Sequence, residues 1–174
     1  MSDEEYTEFY RNDGFKYDHA EGLAWVREVF IAPFALSPGT LLDAGCGDGF
    51  WSNLFQEEGF EVTGVDRIQG AIDIAREKYP VCHFEVADIS DDLSKVGIPD
   101  FYDLVFCRGV TYFWREDLIA DGSTTEVLKN LLTLGPCLLE AYRASVPFFK
   151  ACQEAGKVRQ ISHTREYSQV MLLP

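Results

Sequence analysis

Residues 40–55, TLLDAGCGDGFWSNLF, place three alternating glycines, Gly45, Gly47 and Gly49, directly after the acidic Asp43. Leu41 and Leu42 read as a short buried strand, and Trp51, Leu54 and Phe55 follow at helical spacing. A glycine turn between a strand and a helix lets another molecule approach the backbone closely. It also aims N–H donors and the positive end of a helix dipole at one place. The chemistry suggested is therefore ligand binding at the end of a strand. Two more carboxylates stand at the ends of apolar runs downstream. They are Asp66, closing Phe60-Glu61-Val62-Thr63-Gly64-Val65, and Asp88, closing Cys82-His83-Phe84-Glu85-Val86-Ala87. Asp66 lies about 20 residues after Gly45, the distance at which an acid accepts hydrogen bonds from ribose hydroxyls.

The glycine spacing selects among nucleotide ligands. A dinucleotide fingerprint needs G-x-G-x-x-G, and here Phe50 stands where its third glycine belongs, with Gly49 one position early. The run Asp43-Ala44-Gly45-Cys46-Gly47-Asp48-Gly49 resembles the first motif of the class I, seven-strand S-adenosylmethionine-dependent methyltransferases. The resemblance extends from Asp18 to Pro174 and is densest between Thr40 and Asp88. It implies S-adenosyl-L-methionine as cofactor, held around Asp43, Gly45, Cys46 and Gly47. Asp66 would then take the ribose, with Arg67 and Ile68 near the adenine. Asp88 would accept from the adenine amino group, and the Ile89 backbone N–H would reach a ring nitrogen. Cys107 falls near the cofactor without needing a chemical role. The following stretch, Arg108-Gly109-Val110-Thr111-Tyr112-Phe113, occupies the position where the methyl acceptor sits in that family. It is not the N/D-P-P-Y/F motif of enzymes acting on DNA bases or glutamine amides.

Acceptor residues follow less directly. Arg108 suits an anionic substrate or the cofactor carboxylate, or it pairs with nearby acids. Tyr112 and Phe113 line the acceptor pocket or pack in the core. Tyr17 and His19, at the start of a helix ahead of the glycine turn, are placed to face the site. His19, His163, Glu140 and Tyr112 are each possible general bases, and none stands out. A base is needed only where the acceptor must first lose a proton.

The elements that must position these residues are legible from periodicity. Residues 1–14 read as an acidic arm, with Asp3, Glu4, Glu5, Glu8 and Asp13, whose Tyr6, Phe9 and Tyr10 would let it fold back as a lid. Asp18 can cap a helix carrying Leu23, Val26 and Phe30. Helices are expected to about Glu58, over 71–79, after a capping box at Ser123-Thr124-Thr125-Glu126, and over 146–154. Strands are expected at 101–107, 137–142, 157–162 and 167–173. Residues 89–100 read as loop and weak helix, and 117–122 as loop or short helix. The alternation implies a single α/β domain over 1–174, with 1–17 as arm or lid. Its fold would be Rossmann-like and doubly wound: a mostly parallel seven-stranded sheet, helices on both faces, and a C-terminal antiparallel hairpin.

Composition narrows the function classes. The chain has 174 residues and a formal charge of −14. Such a surface repels phosphates and disfavours nucleic acid and anionic membranes. Its late basic cluster, Lys150, Lys157, Arg159 and Arg165, is small. Five cysteines (46, 82, 107, 137 and 152) include no C-x-x-C pair, so neither a metal site nor a disulfide framework is expected. No apolar run is long enough for a bilayer, and the acidic start lacks a secretory pattern, so a cytoplasmic location is expected. The leading reading is a methyltransferase acting on a small molecule, with a protein side chain as a second class of acceptor. The alternatives are a non-catalytic cofactor- or partner-binding module on the same fold, and a nicotinamide oxidoreductase. Nothing in the sequence sets an oligomeric state.

Overall fold

The computed structural model describes residues 2–12, 14–164 and 166–174. Asp13 of the acidic arm and Arg165 of the basic cluster lie outside these described residues. In chain order the elements are helix α1 (Asp3–Arg11), α2 (His19–Trp25), a π-helical turn (Val26–Ile31), α3 (Ala32–Phe34), β1 (Thr40–Ala44) and α4 (Phe50–Glu57). There follow β2 (Glu61–Asp66), α5 (Gln69–Lys78), β3 (His83–Val86), β4 (Leu104–Arg108), α6 (Glu116–Ala120) and α7 (Ser123–Leu134). The chain closes with β5 (Cys137–Tyr142), α8 (Val146–Ala155), β6 (Lys157–His163) and β7 (Tyr167–Leu173). No helix among the described residues is long and apolar enough to cross a membrane.

One seven-stranded sheet runs in the order β3-β2-β1-β4-β5-β7-β6. Pairings among β1 to β5 are parallel, while β7 is antiparallel to both β5 and β6. This is the doubly wound arrangement with a terminal hairpin. The strand order reverses between β1 and β4, so a crevice opens there, beyond the carboxyl ends of the strands.

Period-two alternation divides the core into two layers. Leu42, Val105, Cys107, Leu139 and Leu172 face one side, under α7 and α8. Leu41, Val62, Leu104, Phe106 and Leu138 face the other, under α4, α5 and the π turn. On that second side Phe30, Phe55 and Phe106 are fully buried and mutually packed, with ring centroids 4.8–5.9 Å apart. Each such ring contributes ~1.5–3 kcal/mol through burial. Both faces being covered explains why β4 reads as a near-continuous apolar run.

Local departures from the sequence expectations have physical causes. The acidic start is not a bare arm: Ser2 and Glu5 form a reciprocal capping box, and Asp3, Glu4 and Glu5 favour the dipole of α1. The expected helix over 18–30 begins as foreseen, with the Asp18 carboxylate accepting from the Glu21 N–H at 2.9 Å. It then widens into the π turn and continues past Pro33 to Phe34, where Ala35 takes a left-handed conformation. The capping box foreseen at Ser123 is absent. Gly122 is the N-cap of α7, the Ser123 N–H donates to Asp121, and the Thr124 hydroxyl donates to the carbonyl of Tyr112 at 2.7 Å. Strand β4 starts at Leu104, three residues later than expected, because the Asp103 carboxylate is drawn aside to the Thr40 N–H and hydroxyl at 2.8 and 2.9 Å.

Candidate active site

A cavity of about 560 Å³ opens at the reversal between β1 and β4, within the ~300–1,000 Å³ typical of ligand pockets. Its floor on one side is the glycine turn. Gly45, Gly47 and Gly49 have φ of +87°, +56° and +80°, values that side chains resist. A Cβ on Gly45 would lie 2.5 Å from Val110 of the loop after β4, and one on Gly47 would lie 2.7 Å from the Tyr10 hydroxyl. Glycine is required at both because that loop and α1 close directly onto the turn.

The hydrogen bonds of this turn differ from the sequence expectation. The N–H groups of Gly45 and Cys46 both donate to the Val65 carbonyl, at 2.8 and 3.0 Å, and that of Gly49 donates to the Cys46 carbonyl. The Gly47 N–H donates to Asp66 Oδ2 at 3.0 Å. Four turn donors are thus engaged inside the protein rather than aimed at a ligand. Asp66 also accepts from the Ile68 N–H at 2.9 Å through Oδ1. Each of its oxygens keeps an acceptor position. Burial raises the Asp66 pKa, partly offset by these two backbone bonds.

Acidic residues dominate the glycine-turn side of the wall. Asp48, Asp66 and Asp88 all line the cavity. Asp48 is paired with Lys78 at 3.1 Å. Asp88 accepts from the Ser90 N–H and hydroxyl on a single oxygen, at 2.9 and 2.8 Å. Ile89 lines the wall beside it. Arg67 also lies here, in an ion pair with Asp3 of α1 at 2.9 Å.

The opposite side is aromatic. Tyr17, Trp51 and Tyr167 stand around Arg108 at the end of β4, and Tyr142 lines the cavity against Tyr167. The Arg108 Nε donates to Glu140 at 2.5 Å and its Nη1 donates to the Tyr17 hydroxyl at 3.2 Å. The guanidinium lies 4.3 Å from the Trp51 ring and 5.3 Å from that of Tyr167, at cation–π range. Glu140 is fully buried and also accepts from Trp25 Nε1 at 3.2 Å and Gln169 Nε2 at 2.7 Å. Burial alone would lower the Arg108 pKa, but Glu140 and Tyr17 outweigh it and the net direction is up.

Gly45, Cys46, Gly47, Asp66, Arg67, Asp88, Ile89, Arg108, Tyr112 and Tyr17 thus share one cavity. Asp43, Cys107 and His19 do not line it, nor do Phe113, Glu140 and His163; Phe113 packs in the core on the α7 side. The Asp43 carboxylate is buried beneath the turn and accepts from the Ser52 hydroxyl at 2.6 Å. Burial pushes its pKa up to about 7, against the lowering effect of Ser52. Cys107 is fully buried on the α7 side of the sheet, because strand alternation turns it away from the crevice. His19 is exposed and bonded to Glu57 of α4 at 3.0 Å. His163, another candidate base, bonds Ser168 on the terminal hairpin at 2.9 Å.

Sequence reading missed Trp51, which it took only as part of the helix's apolar spacing, and the pair Tyr142 and Tyr167. These two tyrosines are register partners across β5 and β7, so antiparallel pairing brings the start of β7 to the same sheet edge as the end of β5. Tyr6 and Tyr10 of α1 line the cavity as well. Burial, then Asp66 and Asp48, raise the Tyr10 phenol far above the ordinary range. A second hollow of about 560 Å³ borders α7 near Asp121, Glu126, Lys129 and Glu154. Its Glu126 and Lys129 pair with each other at 2.8 Å; no glycine-turn residue lines it, and it shares Tyr112 with the first cavity.

The family model described as a methyltransferase domain matches residues 41–130. The chain belongs to the methyltransferase domain family. The matched stretch carries β1 to β4 and the glycine turn. This methyltransferase domain is 34% identical over 106 residues to the malonyl-[acyl-carrier protein] O-methyltransferase of Serratia marcescens, covering 60% of the chain. It spans only 40% of that relative's length. A TehB-like SAM-dependent methyltransferase from Corynebacterium glutamicum superposes with a TM-score of 0.71 at 21% identity, over 98% of this chain and 97% of the other. Magnesium protoporphyrin IX methyltransferase from Synechocystis, solved with bound SAM, gives 0.62 at 19% identity, over 90% and 78%. These two likenesses establish the shared fold.

Proposed function

We propose that this methyltransferase domain binds S-adenosyl-L-methionine and transfers its methyl group to a small-molecule acceptor. One observation carries the choice of cofactor. The turn's N–H donors are engaged within the protein, while Asp48, Asp66 and Asp88 line the cavity. A dinucleotide pyrophosphate would meet carboxylates and few donors. A cationic sulfonium nucleoside meets complementary charge and a carboxylate for its ribose. The solved relative with bound SAM agrees with this choice.

When bound, the cofactor supplies a methyl group already activated on a sulfonium, so transfer is a direct displacement. The chain's residues then mainly orient. Asp66, itself fixed by the Gly47 and Ile68 N–H groups, offers one acceptor position on each oxygen to the two ribose hydroxyls. The free oxygen of Asp88 and the Ile89 backbone suit the adenine edge. The glycine turn leaves room for the amino-acid portion, and Tyr10 covers it. Tyr17, Trp51, Tyr142 and Tyr167 shape the acceptor side. Holding two reactants in line is worth ~7–11 kcal/mol. No histidine or lysine lines the cavity among the described residues, so no side chain is assigned to proton removal.

The test is calorimetric titration with S-adenosylhomocysteine. Asp66→Ala removes both ribose contacts, each a charge-assisted bond of ~1.5–3 kcal/mol. Affinity should fall at least about a hundredfold while the variant stays folded by circular dichroism. Unchanged affinity would refute the ribose assignment.

A further inference from the structure

Resting on the methyltransferase reading, we propose that Arg108 and the aromatic side chains around it form an acceptor subsite for a carboxylate attached to a flat, apolar body. Arg108 carries the one cationic side chain on the acceptor side of the cavity among the described residues. Its five N–H donors are only partly used, by Glu140, Tyr17 and the Tyr167 hydroxyl. The remaining donors have no hydrogen-bond partner among the described residues. Glu140 lies fully buried behind the guanidinium and holds it through Nε, while Trp25 and Gln169 share that carboxylate's charge. The guanidinium plane is thereby fixed without its outer edge being filled.

The surroundings support the same ligand class. Tyr142 remains 40% exposed at the cavity, and a flat apolar group stacks well on such a ring, whereas the Tyr17 ring is already stacked with Phe15 and Phe50. The Trp51 indole N–H is buried and has no partner, which leaves a second unsatisfied donor beside Arg108. A guanidinium with free N–H groups recognises a carboxylate in a fixed plane, which an ammonium cannot do. The acidic residues of the cavity, Asp48, Asp66 and Asp88, stand on the glycine-turn side. An anionic acceptor is therefore directed toward β4 and β5 rather than into the cofactor half.

The experiment uses the full chain saturated with S-adenosylhomocysteine and two isosteric probes, 3-phenylpropionate and 3-phenylpropionamide. The carboxylate should bind at least about tenfold tighter than the amide, as charge-assisted bonds require. Arg108→Gln should erase that preference and leave S-adenosylhomocysteine affinity within about twofold. Equal binding of the two probes, or binding of neither, overturns the subsite, and this arm needs no variant. A loss of S-adenosylhomocysteine affinity in Arg108→Gln matching the loss of carboxylate binding also overturns it, since Arg108 would then serve the cofactor. Failure of the wild-type chain to bind S-adenosylhomocysteine would instead refute the underlying function, and this proposal with it.

Discussion

Replacing Asp43 by asparagine should remove a pH-dependent loss of stability. The Asp43 carboxyl is buried, and its pKa moves from 3.8 to about 7 on folding. The folded protein therefore holds this proton to higher pH than the unfolded chain does. Between about pH 4 and 7 the folded state binds more protons at this site, so stability falls as pH rises. The slope approaches ~1.4 kcal/mol per pH unit, and full titration amounts to ~4 kcal/mol. The replacement amide keeps an oxygen to accept from Ser52 but cannot ionise. Urea denaturation from pH 5 to 8, followed by tryptophan fluorescence, reads the effect. Wild type should lose stability across this range relative to Asp43→Asn, and the difference should level off above about pH 8. Parallel curves for the two proteins would refute the burial argument. Asp66, whose pKa also rises, contributes the same sign to both curves and cancels in the comparison.

Other perturbations test separate links. Glu140→Ala leaves the buried Arg108 without its counter-charge, and loss of one partner from such a pair costs ~3–5 kcal/mol, readable as a lower denaturation midpoint. Gly49→Ala combines left-handed strain at φ +80° with a Cβ 2.7 Å from the Phe84 ring; a loss of ~2 kcal/mol should lower the melting temperature by roughly 4–8 °C. All five thiols are buried, and burial pushes Cys82 up to about 11 and Cys152 to about 12. They should react slowly with Ellman's reagent at pH 8 in the native protein, and five should titrate after denaturation.

Much of this arrangement is legible in the sequence because it is local. Strand-ending acids, the glycine spacing and apolar alternation set β1 to β3 and put Asp66 and Asp88 at or just beyond strand ends. What escapes sequence reading depends on distant pairing. Arg108 and Glu140 are far apart in the chain and meet only because β4 and β5 are register neighbours. Tyr142 and Tyr167 share the crevice edge only through antiparallel pairing. Cys107 could have been assigned to the core from alternation alone, since it shares parity with Val105. The acidic start read as an arm that its aromatic residues would let fold back as a lid, but not as a helix. Its Ser2-to-Glu5 spacing was the missed helix signal, and Tyr6 and Tyr10 of α1 reach the cavity from there.

The most direct measurement is binding of S-adenosylhomocysteine to the wild-type chain by isothermal titration calorimetry, with a parallel fluorescence titration of NADH. The expected result is one site of micromolar affinity for S-adenosylhomocysteine and no saturable response to NADH. Saturable NADH binding without S-adenosylhomocysteine binding would contradict the cofactor assignment, and with it the role given to the carboxylates around the glycine turn.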